Sequence, residues 1–212
     1  MSSQPLSGYR AGLRRLWQIL KSLFARVAFF ATAIAIGMTS SWFSVHRGLP
    51  FNTETFGPWV AWHFAGQSAS EPYTRGRFAM SGGLPLSGDR IVRLEARFDD
   101  DGRRLHSSCV YEVSGQMIDA RWWTLAAFDS AGRLIPNEAQ RYGWNTATTA
   151  LGADGRFSIL LGRDAHSGNW LPTGAAGRMV VIFEIQEPAV IPADTNSEES
   201  AIKPPSIKRI SC

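Results

Sequence analysis

The sequence predicts a mostly β-strand domain, an antiparallel β-sandwich, preceded by one N-terminal transmembrane helix. Three features support this fold class: an apolar run near the N-terminus, several short strand patterns separated by turn residues, and little helical periodicity elsewhere. Because no helices alternate with the strands, a βαβ dinucleotide-binding fold is excluded. With 212 residues and 44% hydrophobic content, the chain is long enough for one folded domain besides the helix.

The apolar run covers residues 23–45 and contains a single charge, Arg26. At 1.5 Å per residue, such a helix reaches about 34 Å, which exceeds a hydrocarbon core of about 30 Å. The positive-inside rule then predicts a cytoplasmic basic tail over 1–22, a single-pass anchor in a bacterial inner membrane over 23–45, and a periplasmic domain over 46–212. A cleaved signal peptide is the alternative, since 27–36 has the character of its apolar region.

The basic charge is concentrated in the tail. The chain has 22 Lys and Arg against 18 Asp and Glu, and its pI is about 9.4. Five of the basic residues precede Val27, where there is no acid: Arg10, Arg14, Arg15, Lys21 and Arg26. The remainder is close to neutral, so we expect no nucleic-acid partner.

The sequence predicts roughly six or seven strands after the anchor. Their patterns cover 56–64, 91–98, 105–113, 121–128, 142–149, 157–161 and 179–185, and 204–212 also looks extended. Because Asp99 to Gly102 provides turn residues, 91–98 and 105–113 are predicted to pair as a hairpin. Ser70-Glu71-Pro72 predicts the start of a short helix that ends near Ser81, and the polar segment 193–201 is expected to be mobile.

Both cysteines, Cys109 and Cys212, fall on the translocated side, where disulfides persist. We therefore predict that they are bonded. In the chain-entropy model, closing a loop of about 100 residues contributes about 4.7 kcal/mol. Two free thiols are the alternative.

Motifs for catalysis or metal binding are missing from the sequence. It has no phosphate-binding loop, no G-x-S-x-G and no H-E-x-x-H, and its four His residues are scattered, so neither a metal nor a cofactor is expected. The run Asp99 to Asp101 fits a turn better than a calcium site. Asp119 and Glu138 are the carboxylates considered for glycan hydrolysis, which requires two acids at a set separation.

Aromatic side chains beside Arg and Asn mark the candidate ligand-binding surface. Rings cover the apolar faces of a sugar or peptide, while guanidinium and amide groups supply directed hydrogen bonds. Burial of the same aromatics in the core is the alternative. The candidates are Arg121, Trp122, Trp123, Asn137, Arg141, Trp144, Asn169 and Trp170.

Several motifs together resemble the bacterial domain-of-unknown-function family numbered 1214, in particular its short, membrane-anchored type. They are GPW at 57–59, EPYTRGRFA at 71–79, GLPL at 83–86, CVYEVSG at 109–115, RWWTL at 121–125 and GNWLP at 168–172. The resemblance implies a sandwich of jelly-roll character and a partner protein of the family numbered 1254. It implies no established reaction, so no catalytic residue is carried over.

Taken together, these features predict a binding or assembly subunit, anchored in the membrane and exposed to the periplasm, that docks a partner protein or an envelope ligand. The alternative is an envelope hydrolase acting on glycan or glycopeptide. Fold analogy alone supports the hydrolase, since jelly-roll sandwiches serve both functions.

Overall fold

The computed structural model describes residues 6–62, 65–81, 90–188 and 203–212, and the chain divides into two compact units, Met1–Arg47 and Gly48–Cys212. The first unit consists of helix α1 (Leu6–Arg47). Its part Arg15–Arg47 is long and apolar enough to cross a membrane, and none of its most apolar window is buried in protein. The predicted anchor over 23–45 lies within this helix, which also includes much of the predicted basic tail.

The second unit contains ten strands and one helix in its described residues. In chain order they are β1 (Thr53–Phe56), β2 (Trp59–Trp62), α2 (Pro72–Ser81), β3 (Ile91–Ala96), β4 (Val110–Gln116), β5 (Ala120–Asp129), β6 (Gly143–Asn145), β7 (Arg156–Gly162), β8 (Asn169–Pro172), β9 (Met179–Pro188) and β10 (Ser206–Ser211). One sheet has the order β1-β2-β3-β9-β5-β6, and the other has the order β10-β4-β7-β8. All pairs are antiparallel except β7 with β8, which is parallel. The predicted mostly-β, antiparallel-rich fold is confirmed.

The core lies where alternate side chains of the two sheets meet. Trp123 of β5 stacks on Phe157 of β7 with ring centroids 5.0 Å apart, and both side chains are almost completely buried. The Phe183 ring of β9 lies tilted against Trp123, with ring centroids 5.5 Å apart. This alternation follows from the two-residue period of a strand, which places Trp123, Leu125 and Ala127 inward. It also leaves Trp122 on the outer face.

The prediction that 91–98 and 105–113 pair as a hairpin is wrong, because β3 pairs with β9 and β4 pairs with β7. Its turn does form: Gly102 donates to the carbonyl of Asp99 at 2.9 Å and has a φ of 75°. Pairing stops soon after the bridge between Phe98 and Arg104. Leu105 is fully buried, and the chain then crosses to the second sheet as β4, so that β9 pairs with β3 instead.

Three strand boundaries also differ from the prediction. The segment predicted as one strand over 56–64 turns at Gly57, whose φ is 59°, so that β1 and β2 form a hairpin; His63 and Phe64 lie outside the described residues. The strand predicted over 142–149 shortens to β6, because Thr149 donates back to the carbonyl of Asn145. The segment 169–172, which none of the predicted strands includes, forms β8.

The helix predicted after Ser70 forms as α2, with Pro72 in its first position. Its N-terminal cap is Glu71 rather than Ser70. The Glu71 carboxylate accepts hydrogen bonds from the amides of Tyr73 at 2.7 Å and Thr74 at 2.6 Å, which have no partners within the helix. Desolvation raises the pKa of Glu71, but hydrogen bonds from Thr74, Tyr73 and Asn52 outweigh it, so the net pKa is lowered.

The C-terminal strand β10 lies at the edge of the second sheet, beside β4. The predicted disulfide is confirmed, since Cys109 and Cys212 are bonded and join residues 103 positions apart. Asp100 holds the same strand, accepting from the Ile207 amide at 3.1 Å and donating its own amide to the Ile207 carbonyl. The polar segment 193–201 lies outside the described residues.

Candidate functional site

A shallow pocket opens between the start of β5 and the end of β9. It is lined by Arg121, Trp122, Gln186 and Glu187 and has a volume of about 380 Å³. Register explains the grouping, because Trp122 lies directly opposite Gln186 in the antiparallel pair. The pocket therefore offers an indole, a guanidinium, an amide and a carboxylate within one surface depression.

Glu187 has an unusual backbone conformation within this pocket. Its φ is 46°, in the left-handed region that residues other than glycine rarely adopt. The carboxylate lies 3.1 Å from Arg121 and 3.7 Å from Arg90, and the Glu187 amide donates to the Arg90 carbonyl at 2.6 Å. Backbone strain of this kind, held in place by surrounding contacts, is enriched at ligand sites.

A ladder of charged residues continues from the pocket across the outer face of the six-stranded sheet. Glu95 lies within 3.5 to 3.7 Å of three guanidinium groups, those of Arg77, Arg93 and Arg97. Arg93 also reaches Glu184, the register partner of Thr124 on β5, at 3.7 Å. Arginines outnumber carboxylates in this ladder, so the face favours acidic or strongly hydrogen-bonding groups.

Helix α2 covers one end of the ladder. The Arg77 guanidinium lies over the ring of Trp62 at 5.6 Å as well as beside Glu95. Burial lowers the pKa of Arg77, Glu95 raises it, and the neighbouring Arg97 and Arg93 lower it, so the net pKa is below its ordinary value. The helix thus fixes one cation of the ladder against the sheet.

The structure distributes the predicted candidates between two places. Arg121 and Trp122 line the pocket, whereas Arg141, Trp144 and Trp170 meet elsewhere. The Arg141 guanidinium and the Trp144 indole each donate to the Trp170 carbonyl at 3.1 Å, and the guanidinium lies 5.0 Å from the Trp144 ring. These two hydrogen bonds give the Trp170 carbonyl of β8 its partners, and the one from Trp144 links β8 to β6.

Three other candidates have structural contacts. Trp123 is fully buried in the core, and its indole donates to the sulfur of Met117. Asn169 is 8% exposed and bonds the backbone of Ala150 in both directions. Asn137 closes its own loop through the backbone of Arg141.

Sequence reasoning missed Gln186 and Glu187 because the strand pattern was read as ending at Ile185. The signal available was the change from an apolar run to alternating polar residues over 184–187, which is typical of a strand with one solvated face. Arg93, Glu95 and Arg97 alternate with apolar residues in the sequence, a pattern that indicates a solvated strand face but does not by itself indicate a site. Their link to β9 depends on pairing across about 90 residues of sequence.

No three His, Cys, Asp or Glu side chains come together at metal-binding distance within the described parts of the chain. The run Asp99 to Asp101 serves the turn and β10: Asp99 accepts from the Arg103 amide at 2.7 Å, and Asp100 binds Ile207. The pocket is thus formed from hydrogen-bonding and aromatic groups.

Comparison with known families supports the resemblance. A family model described as "Protein of unknown function (DUF1214)" matches residues 91–190. Over residues 91–190 the chain is therefore similar to the DUF1214 family. The matched segment includes all four pocket residues and runs from β3 through β9, whereas β1, β2, α2 and β10 lie outside it.

Among solved structures, this chain is similar to the VPA0106 protein from Vibrio parahaemolyticus, with 17% identity and a TM-score of 0.53 over 67% of this chain and 36% of that protein. A Burkholderia cenocepacia protein described as uncharacterised is 16% identical, with a TM-score of 0.40 over 57% of this chain and 29% of its own length. No curated protein matches. This chain spans about a third of the Vibrio protein, and that likeness shows the fold alone.

Proposed function

We propose that the chain is a single-pass inner-membrane protein whose basic tail lies in the cytoplasm and whose residues 46–212 face the periplasm, where they act as a binding or assembly subunit. The observation that carries the binding role is the pocket at Arg121, Trp122, Gln186 and Glu187. Its ligand is a polar group presented by a partner protein or by the envelope. The jelly-roll relationship expected from the family resemblance stays a prediction.

The residues that flank the apolar part of α1 support the anchor. On its N-terminal side the Lys21 ammonium lies over the Trp17 ring at 5.1 Å, and on its C-terminal side Trp42 stacks on His46 at 4.5 Å. Lys21 and Trp42 are separated by about 31 Å at 1.5 Å per residue, close to the hydrocarbon thickness of about 30 Å. Aromatic and cationic residues at both ends of an apolar helix are typical of membrane interfaces.

Charge and cysteine chemistry support the orientation. Most basic residues near the span precede its apolar centre, whereas Arg47 follows it, so the positive-inside rule keeps the N-terminus in the cytoplasm. The bond between Cys109 and Cys212 fits an oxidising compartment such as the periplasm.

The pocket chemistry favours binding over hydrolysis. Of its four lining residues, Glu187 is the carboxylate, and it is paired with Arg90 and Arg121. A glycosidase requires two carboxyl groups flanking the bond. The indole of Trp122 beside Arg121 instead provides a flat apolar surface with a bidentate donor, which suits a peptide or sugar bound without reaction.

The family resemblance suggests a partner of the family numbered 1254, and co-purification from native membranes tests it. A tagged chain co-expressed with such a protein is expected to retain it, whereas an R121A/W122A variant is expected to lose it. R133A is the matched control, because Arg133 is an exposed arginine paired with Asp129 in a turn. Recovery of the wild-type chain alone, or equal recovery with both variants, contradicts the proposal.

Sidedness has a separate test. In intact spheroplasts, an added protease is expected to degrade the domain after residue 47 and to spare the basic tail. The mass of the membrane-extracted chain is expected to include that tail. A protected domain, or a mature form lacking the anchor, overturns the topology without bearing on the pocket.

A further inference from the structure

A rigid turn follows directly after the apolar helix. The Leu49 amide donates to the Asn52 side chain at 2.6 Å, and the amides of Asn52 and Thr53 donate back to the Leu49 carbonyl. Asn52 is fully buried, whereas Phe51, one residue earlier, is 57% exposed. A bulky ring is thus held outward by a closed turn rather than by a loose loop.

The same turn is tied to α2. The Asn52 side chain hydrogen-bonds the Glu71 carboxylate that caps the helix, and the Phe51 ring meets Tyr73 edge to face at 5.9 Å. Met80 lies seven residues after Tyr73, on the same flank of the helix, and is 68% exposed. We call Leu49, Phe51, Tyr73 and Met80 the juxtamembrane patch.

Chain length restricts where Phe51 can lie. Helix α1 ends at Arg47 and Phe51 follows four residues later, a path of at most about 14 Å when fully extended. The polar layer on each side of a bilayer is about 5 to 8 Å thick. Arg47 lies about 7.5 Å beyond Trp42 along the helix, at the level of the lipid headgroups, so the Phe51 ring is within reach of that layer.

Composition fits that position. Phe and Tyr rings beside cations are favoured at the membrane interface, and Arg47 and Arg75 are both exposed near the patch in sequence. Leaving the Phe51 ring in water forgoes the favourable free energy of removing apolar surface from water. Contact with the acyl boundary recovers part of this free energy.

We propose that the juxtamembrane patch inserts into the outer interface of the bilayer that holds α1, so that the folded domain rests on the membrane through Phe51, Tyr73 and Met80. This inference rests on the proposed retention of the anchor.

The test uses the full chain reconstituted into phosphatidylcholine and phosphatidylglycerol vesicles, with an environment-sensitive fluorophore on one introduced cysteine at a time. The native cysteines are bonded to each other and stay unlabelled. The labelled variants are I36C in the anchor, F51C and M80C in the patch, and L151C, an exposed position bridged to Phe157 near the second sheet. Nitroxide-labelled lipid is the quencher.

Labels at 36, 51 and 80 are expected to lose fluorescence with nitroxide lipid, while the label at 151 keeps it. Adding F51D to the M80C variant is expected to reduce quenching at 80 and leave quenching at 36 unchanged. If the label at 36 is quenched but the labels at 51 and 80 are not, the patch proposal fails and the anchor stands. This holds even if the emission at 51 and 80 reports an apolar environment, because unquenched labels there contact protein and not lipid. If 36 itself is unquenched, the anchor proposal fails.

Discussion

The indole N–H of Trp59 on β2 donates to the carbonyl oxygen of Pro205 at 2.6 Å, which joins the first sheet to the segment leading into β10, 146 residues later. The Trp59 side chain is 1% exposed and packs against Phe183. This contact fixes the start of the C-terminal strand, whose end is held by the disulfide at Cys212.

Replacing Trp59 by Phe is expected to lower the free energy of unfolding by about 1 to 3 kcal/mol, because the Pro205 carbonyl loses its buried donor. Urea denaturation followed by circular dichroism measures the change. Trp62→Phe is the matched control, since Trp62 lies on the outer face beneath Arg77, and a loss below about 1 kcal/mol is expected there. Equal losses for both variants contradict the role given to the Trp59 bond.

Reduction of the Cys109–Cys212 bond is expected to destabilise the domain by up to about 4.7 kcal/mol, because the unfolded chain regains the freedom of a loop of about 100 residues. Denaturation curves with and without reductant give this value. A C109S/C212S variant should match the reduced protein and show no further shift with reductant. If reductant shifts this variant as much as the wild type, the effect does not come from this bond.

Asp99, which is buried, and Arg209, which is largely buried, form an ion pair at 3.0 Å, with side chains 1% and 19% exposed. Arg209→Met leaves the Asp99 carboxylate buried without its cation, and we expect a loss of about 3 to 5 kcal/mol. The D99N/R209M double variant is expected to recover part of this loss. A double-mutant cycle that gives no coupling between the two positions argues against the pair.

Acid is expected to weaken the cap of α2. The pKa of Glu71 in the folded state is below its ordinary value of 4.5, so protonation favours the unfolded chain. The stabilisation is complete above that value and is lost as pH falls through the folded pKa. The stability difference between wild type and Glu71→Gln should therefore shrink as thermal unfolding is measured from neutral toward acidic pH.

Glu138→Gln is the control for the pH series, because Glu138 lies in the loop before β6 and not at α2. Its difference from wild type should not follow the Glu71 profile. A Glu71→Gln difference that stays constant down to strongly acidic pH rules out the carboxylate cap as the cause.

Local sequence patterns were sufficient to predict an element when the residues that determine it all lie within that segment. The apolar run after the basic residues predicts the membrane-length part of α1 from its composition and length alone. The dipeptide Glu71-Pro72 likewise begins α2, because an acid at the cap and proline at the first position both satisfy a helix N-terminus. The strand patterns around Trp123 and Val181 were recognisable for the same reason.

Which strands pair over long sequence distances could not be predicted from such local patterns. The turn at Asp99 to Gly102 has the chemistry of a hairpin, yet β3 pairs with β9 because burying Leu105 sends the chain into the second sheet. The pocket depends on the same choice, since Trp122 meets Gln186 only when β5 and β9 are neighbours.

The sequence by itself determined most of the strands, the apolar helix and the two cysteines able to bond, because strand period, helix length and thiol count are properties of short segments or of composition. Tertiary structure alone decided that Arg121 and Trp122 share a pocket with Glu187 while Trp123 is buried in the core. The physical reason is that a strand offers two faces, and the face that is buried depends on the sheet packed against it.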